Sequence, residues 1–215
     1  MNTPRSRAAA NSYHHGNLRQ TLLRHAVELA REGGPDAVVL RDVQRLAGVS
    51  NSAAYRHYAD REALLDAVGE QAMLRLADAM VARMDALPRR RAKDARALDR
   101  FRATGQSYID FALAEPGLFR TAFAHKASGR QPEPDGPEPT GEEHHPFQIL
   151  MRCIDDLVST GLLSADRRDG LDEAAWAAVH GLATLFLDGP LRETDTARKQ
   201  LITDRLLDGI AQGLR

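Results

Sequence analysis

Cysteine is almost absent. Cys153 is the single one in 215 residues, so neither an internal disulfide framework nor a cysteine-based zinc finger can be built. A reducing cytoplasm is the expected compartment. Long apolar runs are missing too. A membrane span needs about 20 consecutive apolar residues; the longest greasy stretch, 174–187, is shorter and contains His180. Residues 1–11 carry arginines but no apolar run, so no secretory signal is expected. There is no internal repeat and no alternating strand pattern longer than 37–40. A Gly-rich phosphate loop, a Ser–His–Asp motif and a helical His-Glu-x-x-His are all lacking. No catalytic arrangement emerges and no cofactor is expected. The remainder is an ordinary soluble composition, 43% hydrophobic and 27% charged, enough for one large domain or two modest ones.

The net charge is −1, from 29 basic and 30 acidic residues. The whole is silent about partners, but the distribution is not. No acidic residue precedes Glu28, whereas Arg5, Arg7, Arg19 and Arg24 lie there with His14, His15 and His25. A basic end on a neutral chain fits a nucleic-acid contact surface, or equally a solvated tail. Residues 1–16 are expected to form a basic arm, with 1–11 disordered in the absence of DNA.

Helical periodicity runs through almost everything else. Residues 17–32 form a first helix that Asn17 can cap and Gly33-Gly34-Pro35 stops. Residues 40–47 form a short one, burying Leu40, Val43 and Leu46 with Ala47. Residues 51–58 form another, with Ser50 as candidate cap. Asp60 caps a long helix to about Leu87, striped by Leu64, Leu65, Val68, Met73, Leu76, Met80 and Met84. Further helices are expected up to 113, over 118–124, 147–160, 171–187 and 195–214. Residues 128–146 hold five of the ten prolines and read as a mobile loop.

The segment 40–58 carries the most information. Two short helices meet at Ala47-Gly48-Val49-Ser50, the helix-turn-helix plan. Ala47 is small enough for a close crossing, Gly48 supplies the bend, and Val49 plugs the space between the helices. Asn51 and Ser52 can hydrogen-bond base edges or phosphates, and Ala53 and Ala54 can approach a thymine methyl. Tyr55, Arg56, His57 and Tyr58 can grip the backbone. The full set of expected DNA contacts is Arg41, Ser50, Asn51, Ser52, Ala53, Tyr55, Arg56, His57, Tyr58 and Arg61.

Residues 13–65 resemble the N-terminal domain of TetR-family transcriptional regulators. The likeness is carried by Glu32-Gly33-Gly34, by the Ala47–Ser50 turn, and above all by Tyr55-Arg56-His57-Tyr58-Ala59-Asp60-Arg61-Glu62-Ala63-Leu64-Leu65. Tyr13-His14-His15-Gly16-Asn17-Leu18-Arg19 is similar to one branch of that family. Trp176 with His180-Gly181 resembles a Trp-His-Gly type of ligand domain. Val39 departs from a usual Ser or Thr cap, Ala54 from a common Leu or Pro, and Arg61 from a usual Lys. The resemblance implies an all-α protein: a DNA-binding domain at 17–65, and a ligand-binding and dimerisation domain at 66–215. It also implies a homodimer whose recognition helices enter successive major grooves about 34–36 Å apart on a palindromic operator. The expected activity is repression relieved by a small-molecule effector, with the helix 60–87 as the only covalent link between domains.

The helix 171–187 supports a partner independently, because Trp176, Val179, Leu182, Leu185, Phe186 and Leu187 do not fit one face. Complete burial within the monomer is the alternative. Expected effector contacts are Phe101, Tyr108, Phe111, Phe119, Phe123, Met151, Trp176 and His180. Trp176 and His180 share a helix face one turn apart, although each also reads as a core residue. Glu142-Glu143-His144-His145 contains metal-ligand types, but neighbours seldom converge on one ion, so no metal is expected. Cys153 has Arg152 beside it, which could activate a thiol; its neighbours Leu150 and Ile154 suggest a buried one. The competing reading is a helical ligand-binding protein or enzyme without DNA-binding activity. A duplex-binding assay across salt concentrations separates the two.

Overall fold

The structure, a computed structural model, describes residues 7–89, 92–124 and 144–213. Among these residues every regular element is helical: α1 (Arg7–Gly33), α2 (Leu40–Ala47), α3 (Asn51–Tyr55), α4 (Arg61–Asp85), α5 (Lys93–Ala114), α6 (Pro116–Ala124), α7 (Pro146–Ser159), α8 (Leu171–Leu187) and α9 (Thr196–Gly213). Short 3-10 turns lie at Pro35–Ala37 and Ala165–Arg167. The chain divides into two compact units.

The first unit comprises α1, α2, α3, α4 up to Ala72, and α6 from Gly117. Its core is Leu22, Ala26 and Ala30 of α1, Val43 of α2, Ala54 of α3, Leu64 and Val68 of α4, and Leu118 and Phe119 of α6. α6 starts in direct contact with the end of α1. A Cβ on Gly117 would sit 2.1 Å from the Ala30 oxygen and 2.6 Å from the Arg31 oxygen, so only glycine allows this approach. The helix expected at 118–124 thus belongs with α1, α2 and α3. The chain re-enters the first unit at Gly117, which corrects the expectation that the long helix is the sole covalent link.

α1 begins at Arg7, ten residues before the expected start. Asn17 therefore lies inside the helix and is not its cap. Ala8-Ala9-Ala10 are the strongest helix formers available and carry the helix through much of the expected arm. Residues 1–6 of that arm lie outside the described residues, as do 128–143 of the expected mobile loop. α4 follows expectation. Asp60 Oδ1 accepts the Ala63 N–H at 2.7 Å, and all seven residues of the stripe from Leu64 to Met84 are buried.

The second unit is a helical bundle. α5 packs against α7, α8 and α9 and buries Ala97, Phe101, Gly105, Tyr108, Ile109 and Ala112. Gly105 brings α9 close: a Cβ there would meet Leu207 at 2.5 Å. Arg168 joins α7 to α8, donating to Asp155 at 2.8 Å and pairing with Asp172 at 3.3 Å. Arg102 of α5 pairs with Asp208 of α9. α8 buries Ala175, Val179, Leu182, Ala183 and Phe186, yet leaves Ala174, Trp176, Ala177, Gly181, Thr184 and Leu185 exposed.

Candidate functional site

The helix-turn-helix is built from local backbone chemistry. α2 ends at Gly48, whose left-handed conformation (φ 66°) lets its N–H reach the Arg45 carbonyl at 3.2 Å. Val49 N–H then bonds the Gln44 carbonyl at 3.1 Å, and α3 starts two residues later. α2 buries Leu40, Val43 and Gln44 with half-buried Ala47, the i, i+3, i+4, i+7 face. Leu46 falls off that face and is 45% exposed, contrary to expectation. Val49 is only half-buried, so it is an incomplete plug. Ser50 stands at the N-cap of α3 without a side-chain cap bond; its hydroxyl pairs with Ser52 at 3.2 Å. The capping role expected of Ser50 is thus not realised, because its hydroxyl is held by a neighbour.

The expected DNA contacts separate into two groups. Arg41, Ser50, Asn51, Ser52, Tyr55 and Arg56 are exposed, with Tyr55 49% accessible. Ala53 and His57 are half-buried. Ala54 is buried and fixes α3 to the core. Tyr58 is 2% exposed, and its hydroxyl donates to the Arg19 carbonyl at 3.4 Å while the Arg19 guanidinium lies over its ring. Tyr58 is therefore a core residue, not a backbone grip. Arg61 is also turned inward: Nε donates to the Val38 carbonyl at 2.8 Å and Nη2 to the Pro35 carbonyl at 2.6 Å. These bonds engage two of the N–H groups expected to reach phosphate.

Of the expected effector contacts, Phe119 and Phe123 belong to the first unit, ring centroids 5.0 Å apart. The other six belong to the second. Phe101 and Phe111 are buried and Met151 is half-buried. Tyr108, Trp176 and His180 meet directly: Trp176 Nε1 donates to the Tyr108 hydroxyl at 3.2 Å, and that hydroxyl bonds His180 Nδ1 at 2.8 Å. Burial raises the Tyr108 pKa and lowers that of His180, favouring the neutral forms of both. Phe147 packs edge-on to Trp176, centroids 6.2 Å apart. Sequence reasoning missed Phe147; its position beside the helix-starting Pro146 was the one available signal.

Cys153 is fully buried against Met84, sulfurs 3.7 Å apart. Burial pushes its thiol up to about 11 despite the nearby Arg100 and Arg152, so the activation by Arg152 does not prevail. Glu142 and Glu143 lie outside the described residues. His145 instead caps α7, its Nδ1 accepting the Phe147 N–H at 3.3 Å. His144 Nε2 lies 2.8 Å from Asp78.

Two family models match. "Bacterial regulatory proteins, tetR family" spans residues 22–68, and "Tetracyclin repressor-like, C-terminal domain" spans 101–210. The second alone covers half of the chain. The chain belongs to the TetR family. A solved protein of unknown function from Rhodococcus sp. RHA1 is 30% identical, with TM-score 0.72, over 94% of this chain and 97% of that one. A TetR-family transcriptional regulator from Pectobacterium atrosepticum shares the fold at 22% identity and TM-score 0.59, over 98% and 94%. Another from Marinobacter aquaeolei VT8 shares it at 21% and 0.59, over 92% and 97%. No curated protein matches. The TetR-family fold and domains are those of a DNA-binding regulator. No helix among the described residues is long and apolar enough to cross a membrane.

Proposed function

We propose that this chain is a transcriptional repressor that binds a palindromic operator as a homodimer and leaves it when a small molecule binds. The observation carrying the reading is the exposed row Asn51, Ser52, Tyr55 and Arg56 on α3, held outward by buried Ala54 inside the segment that the family model matches. Ser50 to Ala53 face the bases, and Tyr55, Arg56 and Arg41 face phosphates. His57 stands at the margin of this surface. The exposed small and apolar residues of α8, with Leu201 on α9, support the dimer, since such a patch on a monomer marks an interaction surface.

The effector site centres on Tyr108, Trp176 and His180, the Trp-His-Gly feature of the sequence. We assign Phe101, Phe111 and Met151, of the same unit, to its apolar side, since an aromatic wall with few polar groups suits a mostly apolar ligand. Ligand binding then favours a dimer geometry whose recognition helices no longer match successive grooves. The site of action is the cytoplasm. Selecting duplexes from a random library with the purified chain tests the reading. A recovered palindrome whose affinity falls steeply with salt supports it. A folded protein that retains no duplex at low salt overturns it and leaves a helical ligand-binding protein.

A further inference from the structure

We infer that Arg61 is a positioning residue for DNA recognition: its guanidinium clamps the α1–α2 connector and thereby sets the placement of α2 and α3. The inference rests on the DNA-binding reading above and deepens it, giving Arg61 a task other than contact with phosphate.

The connector has no side-chain cap at its α2 end. Val39 is the N-cap of α2 in an extended conformation (φ −107°, ψ 122°), and it makes no side-chain cap bond. It is also 42% exposed, so its side chain contributes little packing. A helix start without a capping side chain leaves first-turn N–H groups without that partner. What the connector offers instead is carbonyls. The Pro35 oxygen accepts from Val38 N–H at 3.2 Å, closing the 3-10 turn. The same oxygen accepts from Arg61 Nη2, and the Val38 oxygen accepts from Arg61 Nε. One planar group thus ties the start of the turn to its end.

The fork is rooted in a fixed element. Arg61 is the first residue of α4, whose opening turn is held by the Asp60 cap and by buried Leu64 and Leu65. From the connector the constraint passes to α2 through buried Val38, Leu40 and Val43. It reaches α3 through the Gly48 turn, whose backbone bonds allow few alternatives. The geometry requires a guanidinium. Two N–H groups on one edge of a rigid plane can serve two carbonyls, whereas a lysine ammonium is a point charge on a flexible stem. Since Nε and one Nη2 proton are directed at backbone oxygens, they are not available to an incoming phosphate.

Three full-length variants test the inference: Arg61→Lys, Arg61→Gln, and Arg56→Gln as a phosphate-contact control. The DNA probe is a duplex recovered from a random library with the unaltered chain. Arg61→Lys keeps the charge and loses the fork. It is expected to lose at least about tenfold in affinity with the slope of log affinity against log salt unchanged, while Arg56→Gln lowers that slope by about 1. Hydrogen exchange on the free protein is the second readout. The amides of 39–43 should exchange about tenfold faster or more in Arg61→Lys, with those of α5 unaffected. If Arg61→Lys retains full affinity while Arg61→Gln lowers the slope by about 1, Arg61 is a phosphate contact and the inference is overturned. Unchanged exchange at 39–43 overturns it as well. If the unaltered chain binds no duplex, the DNA-binding reading fails, and the exchange measurement still decides whether the clamp exists. Should Arg61→Gln fold poorly, Arg61→Lys carries both comparisons.

Discussion

The indole N–H of Trp176 donates to the Tyr108 hydroxyl across 3.2 Å, and this bond orders the cluster around it. An indole nitrogen donates and does not accept. The Tyr108 oxygen therefore acts as acceptor there, and it also bonds His180 Nδ1, 2.8 Å away. Three residues from α5 and α8 are joined in this way, and the indole is the one whose direction is set by its chemistry alone.

The first prediction is a pH dependence at His180. Burial holds its folded-state pKa below the ordinary 6.5. Between the two values the unfolded chain binds more protons than the folded one, so stability rises with pH there. His180 thus contributes fully above about 6.5 and loses its contribution as pH falls through the depressed folded value. In the protonated imidazole both ring nitrogens are donors, so the Tyr108 hydroxyl can only accept from Nδ1. The melting temperature of the unaltered chain should fall faster with acid than that of His180→Gln, beginning near pH 6.5. Trp176 is the only tryptophan, so the fluorescence of the folded protein should change as pH passes the depressed folded value, below 6.5. Parallel melting curves with pH for the two proteins would refute this assignment.

The second prediction concerns the seat of α6 on α1. Gly117→Ala places a methyl 2.1 Å from the Ala30 oxygen. The opposing atoms are backbone and cannot swing aside, so α6 must shift. A loss of about 1–3 kcal/mol is expected, as for overpacking elsewhere. Gly209→Ala provides the contrast: a Cβ there meets nothing within 4 Å, and alanine favours the helix by up to about 1 kcal/mol. Urea unfolding of both variants checks the pair. Equal stability of Gly117→Ala and the unaltered chain would contradict the close contact.

These contrasts follow a physical boundary between what the sequence makes legible and what it does not. The α4 stripe, the Gly48 bend and the Asp60 cap depend on residues within a few positions of one another, and periodicity and turn chemistry disclose them. The roles of Tyr58 and Arg61 depend on carbonyls 39 and 23 positions away, which no local pattern encodes. Tyr58 and Tyr55 look equivalent in sequence. Only packing turns one into the core and leaves the other on the surface. The meeting of Tyr108 with Trp176 and His180 spans about seventy positions for the same reason. Trp176 and His180 were readable as a pair because they share a helix face. Tyr108 was a residue type and no more until α5 was set against α8.

The third prediction is that Cys153 is inert in the folded protein. The thiolate is the reactive species, and burial raises the thiol from an ordinary 9.0 to about 11. At pH 8 that lowers the thiolate fraction by about a hundredfold, before restricted access is counted. Iodoacetamide should modify the unfolded chain at an ordinary rate and the native chain far more slowly. Rapid native labelling would show instead that the thiol is accessible and activated.

The fourth prediction concerns the open face of α8. Ala177, Gly181, Thr184 and Leu185 recur at i, i+4, i+7 and i+8 and are all exposed. Leu185 is 42% accessible and Trp176 39%, while the opposite face is buried within the bundle. Small residues here allow a second helix to approach closely, and the proposed dimer covers them with the same surface of another copy, a self-complementary arrangement under two-fold symmetry. A charge introduced on such a face meets its own copy across the axis. Ala177→Glu should therefore separate the dimer in light scattering while leaving the folded protomer intact, because position 177 is exposed in the single chain. Charge repulsion gives a further signature: raising salt should partly restore the dimer of Ala177→Glu. Operator affinity should fall with dimerisation, since one protomer reads one half-site. If Ala177→Glu stays dimeric and keeps its operator affinity, the dimer is formed by another surface, and the exposed row on α8 needs a different explanation.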